Sequence, residues 1–134
     1  MADVRVLVIS GSARRGSFNQ QLASVAAGLA VHGGAAVTTV DLRSLELPIY
    51  DADLHERGTP PGAIRLVRLF AEHDALLLAT PEHNGFPTPL LINALDWASL
   101  VEAGSDHPAG PAAMAGTVVG LLSAALGLVV NYVA

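Results

Sequence analysis

Residues 4–19, VRVLVISGSARRGSFN, hold the two signals from which the rest of the chain can be placed. Val4 to Ser10 is short, apolar and rich in β-branched residues, with Gly11 behind it, which predicts a strand. From Phe18 the apolar residues change to helical spacing. Leu22, Val25, Ala26 and Leu29 fall on one face, and Gly33 and Gly34 stop the helix at His32. The same strand–turn–helix order then recurs. Ala36–Asp41 reads as a second strand, and Arg43 to Gly62, with Pro48, Gly58, Pro60 and Pro61, reads mostly as loop. Ala63–His73 is a helix with Ile64, Val67 and Phe70 inward, and Ala75–Thr80 is a third, wholly apolar strand. Thr88 can cap a helix that begins at Pro89 and runs to about Ala103. A loop through Gly110 leads to a fourth strand, Thr117–Ser123. Strands alternating with helices predict an α/β fold with a parallel sheet and right-handed crossovers, in one domain over 1–134.

Composition narrows the functional classes. Hydrophobic residues make up 51% and charged residues 14%, against a usual charged share of about 25%, which excludes a disordered chain. The net charge of −5 disfavours nucleic acid as a partner, because an acidic surface repels phosphate backbones. The absence of cysteine removes disulfides, thiol catalysis and thiolate metal sites. The five histidines show no H-E-x-x-H spacing, so no metal site is expected. MADVRVLVIS carries charges inside its apolar run and no cleavage site, so a cytoplasmic protein is the expectation. Pro108 to Ala134 has no charged side chain and is long enough for a membrane span. Gly110, Pro111, Gly116, Gly120 and Gly127 interrupt it and no Lys or Arg flanks it, so a buried strand is expected there, not a membrane segment.

In an open α/β sheet, ligands bind beyond the carboxyl ends of the strands, where the strand order reverses. The loop there, Gly11 to Asn19, holds two glycines, hydroxyl and amide side chains and two arginines, and it runs straight into a helix N-terminus. Backbone N–H groups, the positive end of a helix dipole and guanidinium donors thus gather at one point, which suits a phosphate. Ser17 followed by Gln20 also reads as a capping box, but capping does not require Ser12, Arg14 and Arg15 beside it. Ser17 stands where a P-loop needs its lysine, so nucleoside triphosphate hydrolysis is disfavoured. G-x-G-x-x-G is absent, although Asp41 sits where a ribose-binding acid would, leaving a dinucleotide-binding alternative. Ser10-Gly11-Ser12 does not fit a hydrolase elbow.

The loop after the third strand, Pro81-Glu82-His83-Asn84-Gly85-Phe86-Pro87, neighbours the first loop in a 2-1-3-4 strand order. Its prolines and glycine make it rigid and allow close backbone approach, so a planar ring could lie against it. A lone loop histidine such as His83 is more often a packing or polar contact than a catalytic group. In the helix from Pro89, Asn93, Asp96 and Ser99 form a narrow polar stripe, and apolar residues fill the remaining circumference. That is more apolar surface than one sheet face needs. Either a second protein surface covers it, self-association being simplest, or the helix is deeply buried within one chain.

Gly11 to Asn19 resembles the phosphate loop of the NAD(P)H-dependent FMN reductase family, which includes quinone, azo-dye and chromate reductases. Pro81-Glu82-His83-Asn84-Gly85 and Asn93-Ala94-Leu95-Asp96-Trp97-Ala98-Ser99 resemble its second signature, P-E-Y-N followed by K-N-A-I-D-W. Leu47-Pro48-Ile49-Tyr50-Asp51 resembles its segment after the second strand. Together these cover nearly all of residues 3–123, in order. The resemblance implies a flavodoxin-like three-layer sandwich with sheet order 2-1-3-4. It implies that Ser12, Arg14, Ser17 and Asn19, with Phe18 beside them, hold the FMN phosphate. Pro81, Glu82, His83, Asn84 and Gly85 would line the isoalloxazine, and Ser123 would begin a third flavin loop. The implied reaction takes a hydride from NADPH or NADH to bound FMN and on to a small-molecule electron acceptor, with no catalytic side chain required. A homodimer or homotetramer through helix 89–103 is also implied.

His83 departs from the family's tyrosine, and Ile92 stands where lysine is common. Members follow the fourth strand with a glycine-rich loop, a helix, a fifth strand and a last helix. Here Ser123-Ala124-Ala125-Leu126-Gly127 keeps a trace of that loop, and the chain reads as shortened after its fourth strand. The fifth strand is expected to be missing or replaced by Leu128–Ala134, folded back as a hairpin or an apolar helix over the sheet edge. Two rivals follow: a flavin-binding or interaction protein without turnover, and a flavodoxin-type electron carrier.

Overall fold

The computed structural model describes residues 3–125. Strands β1 (Arg5–Ser10), β2 (Ala36–Asp41), β3 (Ala75–Ala79) and β6 (Val118–Leu122) form one parallel sheet in the order β2-β1-β3-β6. A hairpin of β4 (Glu82–His83) and β5 (Phe86–Pro87) stands apart from it. The helices are α1 (Phe18–His32), α2 (Ala52–Glu56), α3 (Pro61–Glu72), α4 (Pro89–Ser99) and α5 (Gly110–Met114), with a 3-10 turn at Leu42–Leu45. The expected strand order thus stands, the hairpin alone shifting the numbering of the last strand.

The two faces of the sheet are covered unequally. On one, Leu7, Ile9, Leu76 and Leu78 pack with Leu66, Val67 and Phe70 of α3, Leu91 and Trp97 of α4 and Ala113 of α5. Each large apolar side chain buried this way contributes about 1.5–3 kcal/mol. On the other face, Val6, Val8 and Ala79 meet Ala23, with Leu22 and Ala27 half-buried beside it.

The face of α1 differs from expectation. Val25 and Leu29 are 59% and 69% exposed, and the buried stripe runs instead through Asn19 and Ala23. Ser17 and Asn19 must sit inside the loops at the sheet's carboxyl end. A period of 3.6 residues then turns Ala23 inward and Val25 outward.

Five further elements differ from the sequence-based expectation. The loop of residues 43–62 contains α2 and the start of α3, and the region about Gly110 contains α5. Helix α4 ends at Ser99. Most of its apolar ring is buried within the chain, and Ile92 and Leu100 stay exposed. Strand β6 is an edge, not a fully covered strand. Among the described residues nothing pairs beyond it, and Val118 and Leu121 are 71% and 73% exposed. The expected fate of Leu128–Ala134 lies outside the described residues. No helix among them is long and apolar enough to cross a membrane.

Candidate functional site

The register of the sheet brings three strand ends level. Ser10 pairs with Ala79, and Ala79 with Leu122. Two bonds carry the ladder one step further: Gly11 N–H donates to the Ala79 carbonyl at 2.8 Å, and Thr80 N–H to the Leu122 carbonyl at 3.0 Å. The loops after β1, β3 and β6 therefore leave the sheet side by side. Between them lies a cleft of about 670 Å³, within the usual range for small-molecule sites.

Its first wall is the loop from Gly11 into α1. Ser17 is buried and caps α1, its Oγ accepting from the N–H groups of Asn19 at 3.2 Å and Gln20 at 3.4 Å. The reciprocal half of the expected capping box is missing. Gln20 Nε2 donates to the Ser12 carbonyl at 3.0 Å, and Ser17 N–H donates to the Arg14 carbonyl. The first turn of α1 holds no acidic residue, so its dipole is not offset there. Arg5, Arg43 and Arg68 each face a carboxylate, at Asp74, Asp41 and Asp106. Arg14 and Arg15 are exposed and form no such pair among the described residues. Ser12, Arg14 and Ser17 of this wall line the cleft at the N-terminus of α1.

The second wall is Pro81, Glu82 and His83, with Thr88, Pro89 and Leu90 where the hairpin meets α4. Thr88 is buried and makes two bonds. Its hydroxyl donates to the Gly11 carbonyl at 2.5 Å and accepts from Leu91 N–H at 3.3 Å, which caps α4. Gly11 leaves no room for a side chain, since a Cβ there would stand 2.5 Å from Thr80 Oγ1. Asn84 and Gly85 form the hairpin turn, at φ of 54° and 82°, the positive values that a two-residue hairpin needs.

The third wall is Ala124 and Ala125. Asn19, which is 3% exposed, turns its amide onto this loop. Nδ2 donates to the Ala124 carbonyl at 2.7 Å, and Oδ1 accepts from Ala124 N–H at 3.0 Å.

Of the residues singled out from the sequence, Ser12, Arg14, Ser17, Phe18, Asn19, Pro81, Glu82 and His83 line this one cleft. Asn84 and Gly85, at the hairpin tip, and Ser123, just before the Ala124–Ala125 wall, do not line it. Asp41, the basis of the dinucleotide-binding alternative, is engaged otherwise. Its carboxylate takes the Arg43 guanidinium at 2.8 Å and Arg43 N–H at 3.0 Å, which holds its pKa below the usual range. Sequence inspection did not single out Gly11, Ala13, Leu90 or Ala125 as lining residues. It placed Thr88 only as a cap. The Asn84-Gly85 pair was the available signal for the hairpin.

Residues 4–131 match the model of the NADPH-dependent FMN reductase family. The chain belongs to this family. It is 41% identical over 97 residues to an NAD(P)H-dependent FMN reductase of Pseudomonas aeruginosa, covering 72% of this chain and 51% of that one. It is 37% identical over 123 residues to a 2-hydroxy-1,4-benzoquinone reductase of a Burkholderia species, covering 92% of this chain and 65% of that one. Among solved structures it resembles the flavoenzyme NAD(P)H:(acceptor) oxidoreductase FerB of Paracoccus denitrificans, with a TM-score of 0.69 and 29% identity. That match covers 90% of this chain and 60% of the other. The chain thus spans between half and two-thirds of the length of these relatives.

The chemistry of the donor set fits the family's cofactor. One guanidinium, that of Arg14, and a helix N-terminus at one end suit a phosphate monoester. Further walls of Phe18, Pro81, Leu90, Ala124 and Ala125 are apolar and suit a flat ring system. Two residues of the family's second signature, Asn93 and Trp97, also have visible roles. Trp97 Nε1 donates to the Pro48 carbonyl at 2.8 Å. Asn93 holds the same loop through Pro48 and Tyr50.

Proposed function

We propose that the chain is an FMN-binding domain that reduces flavin or quinone-type acceptors with NADPH or NADH. What carries this is the cleft at the carboxyl ends of β1, β3 and β6, where a phosphate-suited wall and apolar walls face one space in a chain of this family. In it, Ser12, Arg14 and Ser17 hold the phosphate, the first and third by hydroxyl donation and the second by charge. Phe18, Pro81 and Leu90, with the backbone of Glu82 and His83, bound the ring and keep water from it. Asn84, Gly85 and Ser123 shape the loops that carry these walls. FMN, when bound, supplies the redox chemistry, accepting a hydride from the nicotinamide and passing electrons to the acceptor. The protein's part is binding and orientation.

Two chains pair through α4: Ile92 on it, Leu100 at its C-cap and Phe86 of the preceding hairpin are all exposed. The expected site of action is the cytoplasm.

Titration of the purified chain with FMN, then with NADPH without oxygen and finally with a benzoquinone, tests the assignment. Flavin binding, bleaching by NADPH and recovery of colour with the quinone are expected. Binding without bleaching would leave a flavin-binding protein without turnover, and no binding would reject the assignment.

A further inference from the structure

Among the described residues three polar side chains are buried, Ser17, Asn19 and Thr88, and all three line the cleft. A sheet protein of this composition gains little from burying polar groups unless each is fully partnered. Ser17 caps its own helix. The other two reach between loops. Thr88 ties the loop after β3 to the loop after β1, and Asn19 ties the first turn of α1 to the loop after β6.

Asn19 copies one rung of a β-ladder. Its amide gives Ala124 a donor and an acceptor together, across 105 residues of chain. No other bond to the Ala124 N–H or carbonyl is present among the described residues. Ala124 takes Oδ1 and one of the two Nδ2 hydrogens, so a phosphate could claim only the second hydrogen. With only 3% of the residue exposed, little of it faces the cleft. What it places there is the loop itself: the two alanines, uncharged and apolar, against the space between the phosphate-suited wall and the ring-suited walls.

Resting on the flavin reading of the cleft, we propose that Asn19 is a positioning residue and not a phosphate ligand. It acts through Ala124, fixing residues 124–125 as the wall that meets the uncharged part of the ligand. The phosphate is left to Ser12, Arg14 and Ser17.

The test has two arms. Amide hydrogen exchange followed by NMR on the full chain without flavin reads the tie directly. The Ala124 N–H is expected to be protected in the wild type and to lose that protection in Asn19→Ala, while the amides of β1 and β3 keep theirs. An Ala124 amide that exchanges freely in the wild type overturns the proposal whether or not any variant folds.

The second arm compares FMN with riboflavin, which lacks the phosphate. Asn19→Ala is expected to weaken both by the same factor, about tenfold for one lost anchored contact. Arg14→Ala is expected to weaken FMN alone. A loss confined to FMN in Asn19→Ala would make Asn19 a phosphate ligand and overturn the proposal. If the wild type binds neither flavin, the functional assignment fails, and the exchange arm still decides the role of Asn19.

Discussion

The Thr88 hydroxyl donates to the carbonyl of Gly11 at 2.5 Å while accepting from Leu91 N–H, so one buried side chain caps a helix and holds a loop 77 residues away. The position in space follows from two local requirements. A helix beginning at Pro89 needs an oxygen acceptor before it, and Gly11 lets the first loop come close enough to reach that oxygen's proton.

Thr88→Val keeps the shape and removes both bonds. Leaving the buried Gly11 carbonyl without this donor is expected to cost about 1–3 kcal/mol, with the lost cap adding to it. Urea denaturation followed by circular dichroism measures the loss. Thr88→Ser, which keeps the hydroxyl, should recover most of it, and equal losses in the two variants would show that the methyl group, which only the serine lacks, matters as much as the hydroxyl.

Arg14→Ala removes the charged group of the first wall while touching no ion pair. FMN affinity is expected to fall by about 1–3 kcal/mol, read by quenching of flavin fluorescence, with the melting temperature of the free protein unchanged. An unaltered affinity would take Arg14 out of the site.

At the opposite end of the sheet, Asp74 is pulled down to about 2 by Arg5, which gives it side-chain and backbone hydrogen bonds. A carboxylate lowered on folding contributes stability above its unfolded value near 3.9, and loses it as the pH falls toward the folded value. The melting temperature should therefore drop between about pH 4 and pH 2, and more gently in Asp74→Asn. Asp41, lowered by Arg43, acts in the same direction. An identical acid limb in the wild type and Asp74→Asn would remove the Arg5 pair from the account.

Trp97 is the sole tryptophan and is wholly buried, edge-on to Tyr50 and His55. Its emission should be blue-shifted in the folded chain and move to the red on denaturation. Trp97→Phe frees one donor from the Pro48 carbonyl, which keeps the Asn93 amide. With that acceptor still half served, a loss of about 1–2 kcal/mol is expected by circular dichroism. A loss near zero would mean that Asn93 alone holds the loop.

Much of this architecture is written locally. The runs VLVI (6–9) and ALLLA (75–79) are unbroken because both sheet faces are covered, and Gly33-Gly34 ends α1 where expected. The first wall is legible because all its donors come from nine consecutive residues. What could not be read depends on distant partners. Val25 and Leu29 look like core residues until Asn19, held by a loop 105 residues on, sets the rotation of the helix. Helix α5 hides behind Gly110 and Pro111. The proline starts it, and the glycine lets it pack where a Cβ would meet the Ala98 carbonyl at 1.7 Å. The two residues on each arm of the hairpin are too few for an alternating pattern to show.

The level ends of β1, β3 and β6 also bear on how the molecule gains from its ligand. No contiguous piece of the chain contains the cleft, because its walls come from segments around residues 11–19, 81–90 and 124–125. Joining them means closing long loops, a cost in chain entropy met only when all three strands are docked. A ligand bound there binds the folded state alone, so its whole binding energy opposes unfolding. At a concentration a hundred times its dissociation constant, that adds about 2.7 kcal/mol to global stability, a substantial share of the 5–15 kcal/mol by which a domain ordinarily stays folded. For such a chain, loading the cleft and maturing the fold are one equilibrium.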